Sequence, residues 1–152
     1  MMGEPCILQQ FNLVERKNTQ MRAWNVMGGT VRRSKMAKPW NEAEAFCQQK
    51  DGHLASITSK EINQYVLEGI NSRDFGNTWI GGNDREKEGE WKWIEDSSSL
   101  KFEDWRSGEP NNSGNNEDCL WIWSSGEWND ARCSIPNMFL CSKRIGSGRH
   151  WL

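Results

Sequence analysis

The chain reads as a single α+β domain. Three features point there: two capped amphipathic stretches between residues 41 and 70, a run of short apolar segments after residue 75, and five cysteines with no Cys-x-x-Cys pair. Helical segments that precede a block of strands favour antiparallel sheets flanked by helices. With 152 residues, the chain has room for one modest core.

The elements follow in order. Residues 1–38 hold neither helical nor strand periodicity for long, so a poorly ordered basic arm is expected there, with at most a short strand from Trp24 to Met27. Asn41 followed by Glu44 reads as a capping pair, and Ala43, Phe46, Cys47 and Lys50 share one side of a helix over about residues 41–50. Asp51-Gly52 ends it, and His53 to Ile57 reads as a short strand or extended link. Thr58-x-x-Glu61 is a second capping box, opening a helix over about 59–70 with Ile62, Tyr65, Val66 and Ile70 inward. Strands are expected at 78–81, 91–94, 120–123 and 137–142. The long polar loop 95–118 is of a length uncommon without a functional reason or a bound group.

Composition narrows the function. Residues 84–130 carry thirteen Asp/Glu against five Lys/Arg, a field that repels phosphate backbones, so nucleic acid is not an expected partner. No apolar run approaches the ~20 residues of a membrane span. His53 and His150 are the two histidines, too few for a zinc site with these cysteines, and His53 reads as structural rather than as a catalytic base. Cysteines 47, 119, 133 and 141 crowd a Trp-rich, loop-rich domain and imply an oxidising, extracellular compartment, although Cys6-Ile7-Leu8 is the longest apolar run near the start and no signal peptide is visible. Cys6 is left as a free thiol or an intermolecular bridge, hence a route to a homo-oligomer.

Chemistry concentrates between Glu109 and Asp130. Glu109, Asn111, Glu117, Asn129 and Asp130 offer three carboxylates and two amide carbonyls, the hard oxygens that suit Ca²⁺ rather than Zn²⁺. A cis bond before Pro110 would turn the Glu109 and Asn111 side chains to one side. Trp128-Asn129-Asp130 falls between Cys119 and Cys133. Trp79, Trp91, Trp93 and Trp105 read as packing residues, while Trp123 or Trp128 offers a stacking edge.

These motifs, with Trp79-Ile80-Gly81-Gly82 and Glu117-Asp118-Cys119, make residues 40–144 resemble a C-type lectin domain of the Glu-Pro-Asn, mannose-type class, close to short single-domain secreted lectins. The resemblance implies a double-loop α+β fold with two helices flanking small antiparallel sheets, and disulfides Cys47–Cys141 and Cys119–Cys133. It further implies calcium-dependent sugar binding by the five residues above, with preference for equatorial 3- and 4-hydroxyls as in mannose, N-acetylglucosamine or fucose-type sugars. A galactose reader of that family would carry Gln-Pro-Asp. A second calcium would fall to Asp84, Glu88, Asn112 and Asp118, with Asn112 standing where many members have Asp.

On this basis the lectin domain is expected over 39–144, with an atypical arm at 1–38 and a tail at 145–152. The expected partners are glycans on glycoproteins or microbial surfaces. The competing function is a non-sugar module of the same fold, for ice or a protein ligand. No enzymatic role is expected, because ligation to calcium would hold Glu109 and Glu117 ionised and remove the proton donor that glycoside cleavage needs.

Overall fold

In the computed structural model the described residues are 21–26, 29–34, 36–70, 76–145 and 150–151, with side chains described for Ser34, 36–68 and 76–143. The strands are β1 (Met21–Val26), β2 (Gly29–Ser34), β3 (His53–Leu54), β4 (Thr78–Asn83), β5 (Lys92–Trp93), β6 (Cys119–Ile122), β7 (Trp128–Ala131), β8 (Met138–Ile145) and β9 (His150–Trp151); the helices are α1 (Trp40–Gln49) and α2 (Lys60–Ile70). The strand order is β1-β2-β8-β4-β6-β7, with β3 and β9 also on β8 and β5 on β4.

Burial on both faces of β4, β6 and β8 explains why those segments read as continuous apolar runs. Trp79, Cys119, Phe139 and Cys141 face one core with Trp40, Ala43 and Cys47 of α1, while Ile80, Leu120, Ile122 and Leu140 face another with Tyr65 and Val66 of α2. The helices therefore pack on the two faces of these strands. Cys47–Cys141 ties α1 to β8, and Cys119–Cys133 ties the start of β6 to the turn after β7, with Cα separations of 5.4 and 5.2 Å. Both expected pairings are present.

Several local expectations are corrected. Helix α1 begins at Trp40 with Pro39 at its cap position, and no side chain caps it. Pro39 lacks an N–H and its ring presets φ, so it opens a helix unaided, while its carbonyl accepts from Ala43 N at 2.9 Å. Asn41 instead accepts from Arg85 Nη1 at 2.6 Å. Glu44, only 6% exposed, turns inward to accept from Leu54 N at 2.8 Å and to meet His53 Nδ1 at 2.6 Å, joining α1 to β3. His53 is thus structural. Helix α2 is capped by Ser59, whose Oγ accepts from Ile62 N at 3.2 Å, one residue beyond the expected Thr58. Ile62, Tyr65 and Val66 face the core as expected, and the Ile70 side chain lies outside the described residues.

The sheet is mixed rather than purely antiparallel. β4 and β8 run parallel through Thr78↔Met138 and Trp79↔Phe139. No tight hairpin joins these strands, so their relative direction is set by packing rather than by a turn. The strand expected near Trp24 is one arm of a hairpin: β1 pairs β2, and β2 pairs β8 through Thr30↔Lys143 to Arg33↔Leu140. The arm before residue 21 lies outside the described residues. β7, read from sequence as a ligand cluster, is also a strand, paired with β6 from Cys119↔Ala131 to Ile122↔Trp128.

One glycine explains the tight exit from α1. A Cβ on Gly52 would collide with the backbone carbonyl of Ser142 on β8, so the chain passes there only without a side chain.

Candidate functional site

The segment 109–117 folds back on the end of β7. The Glu109–Pro110 bond is cis, as the sequence suggested. The Asp130 carboxylate, on a residue 1% exposed, accepts from Asn111 N at 3.1 Å and from Asn112 N at 2.6 Å. Asn111 Nδ2 donates to Glu109 Oε1 at 3.1 Å, while Ser113 N donates to Asn111 Oδ1 at 3.0 Å and to Glu117 Oε2 at 2.9 Å. Asn129 adjoins them on β7, its Nδ2 donating to Asp130 O at 2.6 Å. Glu109, Asn111, Glu117, Asn129 and Asp130 are therefore joined in one hydrogen-bonded set.

A neighbouring group is built on the end of β4. Asp84, Glu88 and Asp118 offer oxygens that all lie within 4.8 Å of one another. Asp84 N donates to Asp118 O at 3.1 Å and Gly89 N to Asp84 Oδ2 at 2.9 Å. Asn112, the fourth residue expected here, instead uses its Oδ1 to accept from Glu117 N of the first group at 3.0 Å.

Both groups hold carboxylate oxygens without donors. Asp84 Oδ1 and Glu109 Oε2 are buried and lack hydrogen-bond partners. Burial pushes the Glu109 carboxyl up from its ordinary value, and the facing Asp130 and nearby Glu117 add to the shift. Burial likewise raises Asp84 to about 6, with Glu88, Asp118 and Asp130 contributing repulsion. Carboxylates crowded in this way call for a proton or a cation. The donor set is hard oxygen throughout, since Cys119 and Cys133 are committed to a disulfide, and it fits a calcium-like ion.

A pH dependence follows from Asp84. The folded protein takes up its proton near pH 6 and the unfolded chain nearer ~4. Between those values the native state binds more protons, so this stabilising contribution is present at the acid end and is lost as pH rises through about 6. In chelator-treated buffer, Asp84 is expected to make the melting temperature fall between pH 4 and 7, and Asp84→Asn to flatten that fall.

Sequence reading missed the residue that holds the two halves of the site together. Asn63 on α2, 3% exposed, donates to Asp104 Oδ2 at 2.9 Å and Gly126 O at 3.1 Å, and accepts from Trp128 Nε1 at 3.1 Å. Asp104 precedes the 109–117 segment, and Trp128 precedes Asn129. An inward polar position among Ile62, Tyr65 and Val66 was the available signal. Asn63→Leu strands the Trp128 donor and is expected to lower stability by about 2–3 kcal/mol, read from the urea midpoint.

The tryptophans divide as follows. Trp128 is fully buried and meets Trp93, Trp105 and Phe102 edge-on, so it offers no stacking surface, whereas half-buried Trp123 lies under the Arg106 guanidinium at 5.2 Å.

A disulfide-pinned α+β domain that gathers hard oxygens on a loop folded against one strand end is a recognition module. Residues 36–143 match the lectin C-type domain family, and the chain belongs to that family. It is 35% identical over 128 residues to hepatic lectin of Gallus gallus, covering 83% of this chain and 60% of that protein. It is 44% identical over 117 residues to the C-type lectin mannose-binding isoform of Oxyuranus scutellatus, covering 71% of this chain and 72% of the relative. The carbohydrate-recognition domain of the mouse scavenger receptor C-type lectin superposes with a TM-score of 0.75 at 34% identity, over 82% of this chain and 96% of that one. These relatives are lectins, a non-enzymatic family. Among the described residues, no helix is long and apolar enough to cross a membrane.

Proposed function

We propose that this chain binds glycans in a calcium-dependent manner outside the cell, preferring sugars with equatorial 3- and 4-hydroxyls such as mannose, N-acetylglucosamine and fucose-type residues. The observation that carries this reading is the clasp of the Glu109–Glu117 segment on Asp130, which leaves the buried Glu109 Oε2 without a donor while Oε1 meets the Asn111 amide. Glu109, Asn111, Glu117, Asn129 and Asp130 would hold the principal ion; Asp84, Glu88 and Asp118, with Asn112, would hold a second. Bound calcium supplies a hard cation with positions left for two neighbouring sugar hydroxyls.

The side chains read those hydroxyls. A carboxylate accepts a hydroxyl proton and an amide NH₂ donates to the same oxygen, so each carboxylate–amide pair recognises both functions of one hydroxyl. Glu109 with Asn111 forms one pair, and Glu117 with Asn129 the other. The binding unit is residues 39–144, and the glycans are those of glycoproteins or microbial surfaces. The relative named as a mannose-binding isoform supports the sugar preference.

The test is an array of glycans probed with and without a chelator. Binding that persists in chelator would overturn the calcium dependence. Exchanging Glu109→Gln with Asn111→Asp keeps the charge and oxygen count but reverses the hydrogen-bond polarity. Mannose-type binding is expected to fall more than tenfold, since each mismatched bond to a charged group costs about 1.5–3 kcal/mol. Calcium affinity should change little, and galactose binding is the gain to look for. Unchanged mannose binding in the double variant would remove these two residues as readers.

A further inference from the structure

Asp130 lies in β7, and Arg132 is the first residue past its end at Ala131. Both meet the loop that folds over it. Asp130 receives the N–H groups of Asn111 and Asn112, and Arg132 Nη2 lies 3.4 Å from where a side chain on Gly114 would begin. Gly114 immediately follows Ser113, whose N–H touches Asn111 and Glu117. The guanidinium is thus set against the outer turn of the sugar-reading loop. Its backbone is fixed on both sides, by β7 pairing and by the Cys119–Cys133 disulfide.

Arg132 is exposed and, among the described residues, has no ion-pair partner. Lys87 and Lys92, in the acidic part of the chain, are each paired with a glutamate, whereas Lys101 and Arg106, like Arg132, make no ion pair among the described residues. Glu117 accepts from Ser113 N and is not an ion-pair partner of Arg132. The planar fork of donors on Arg132 is left for something outside the chain. A fork of this kind matches the paired oxygens of a sulfate or a carboxylate, whereas a neutral hydroxyl uses one donor at a time.

We propose that Arg132 is a specificity-determining residue that reads an anionic substituent, a sulfate ester or a carboxylate, carried by the sugar held at Glu109 and Asn111 or by the residue next to it. The inference rests on the sugar-binding reading above. It runs against the overall charge, since the chain is −2 in total and the segment around the site is strongly acidic, so nonspecific attraction of anions is not an alternative source of the preference. A preference for anionic glycans then requires a local cation, and Arg132 is set against Gly114 of the loop, whereas the Arg106 guanidinium lies over the Trp123 ring.

The experiment measures binding of the calcium-loaded protein to N-acetylglucosamine, mannose and fucose in neutral, sulfated and carboxylate-bearing forms. At least one anionic form should bind about tenfold tighter than its neutral parent, an advantage that shrinks as salt is raised. Arg132→Gln should lose that advantage while the neutral parent binds as before, and Arg132→Lys should restore part of it. Lys101→Gln removes the same unit charge from an exposed position outside the loop contact and should leave the preference intact. The proposal is overturned if no anionic form exceeds its parent, if the preference survives Arg132→Gln, or if Lys101→Gln abolishes it equally. Binding of anionic forms alone, lost in Arg132→Gln, would sustain Arg132 while sinking the hydroxyl-reading site; binding of no glycan at all would sink both.

Discussion

Asp130→Ala should abolish binding to every sugar, neutral or charged, by at least a hundredfold, with the domain still folded. The residue serves two roles at once. Its carboxylate is the anchor to which the backbone of Asn111 and Asn112 is tied, at 3.1 and 2.6 Å, and it faces Glu109 in the carboxylate pair that would hold calcium. Removing it releases the loop and deletes an ion ligand together. Charge-assisted bonds are worth about 1.5–3 kcal/mol each, so losing two exceeds the factor of a hundred, which corresponds to about 2.7 kcal/mol. In the metal-free state the loss is partly offset, because one member of a repelling pair is gone. The variant should therefore melt below the wild type in chelator, by less than two lost bonds alone would give, and should lack the rise in melting temperature that millimolar calcium is expected to confer on the wild type. Calorimetric titration with calcium and sugar, read beside the melting curves, checks both halves. Retained sugar binding would remove Asp130 from the site.

Opening the Cys47–Cys141 bridge by replacing both cysteines with Ala should produce the largest loss of stability. The bridge closes 94 residues, and chain entropy assigns about 4–5 kcal/mol to a loop of that size, against about 3 kcal/mol for the 14 residues closed by Cys119–Cys133. A domain of this size has only ~5–15 kcal/mol in total. Both sulfurs also sit in the core shared with Trp40 and Trp79, so truncation leaves space that the neighbours do not fill. The doubly substituted chain is expected to be largely unfolded at 37 °C, seen as a lost near-ultraviolet dichroism signal and a shifted urea midpoint. Removing Cys119–Cys133 also truncates the core at Cys119, but that bridge closes a much shorter loop, and its loss should act on the site, because it holds the start of β6 beside the turn after β7. Its signature is weakened calcium and sugar binding with a smaller midpoint shift. Equal midpoint shifts for the two pairs would contradict the loop-entropy account.

Much of this protein is legible without coordinates, and what is legible is local. The two helices announce themselves through spacing and turn residues, and four of the strands through short apolar runs, because burial on both faces leaves no polar alternation to find. Glu109-Pro110-Asn111 and Trp128-Asn129-Asp130 are informative because ligand chemistry depends on residue type, and both donors of each cluster lie within two positions of one another. The capping residues show the limit of such reasoning. Asn41 and Glu44 have the right identities and spacing, yet a buried contact with Leu54 and His53 takes Glu44 away, and Pro39 opens the helix instead.

By itself, then, the sequence determined the α+β class, the two helices, the cysteines available for pairing and the hard-oxygen character of the site, since each rests on residue type or on spacing within a few positions. Tertiary structure alone decided the parallel pairing of β4 with β8, the hairpin that extends the sheet through β2, the hub at Asn63 and the seat of Arg132 against Gly114. Those features join residues tens of positions apart. The entropic cost of closing a loop rises only with the logarithm of its length, so chain separation hardly distinguishes one distant partner from another, and the choice falls to the packing of the two cores.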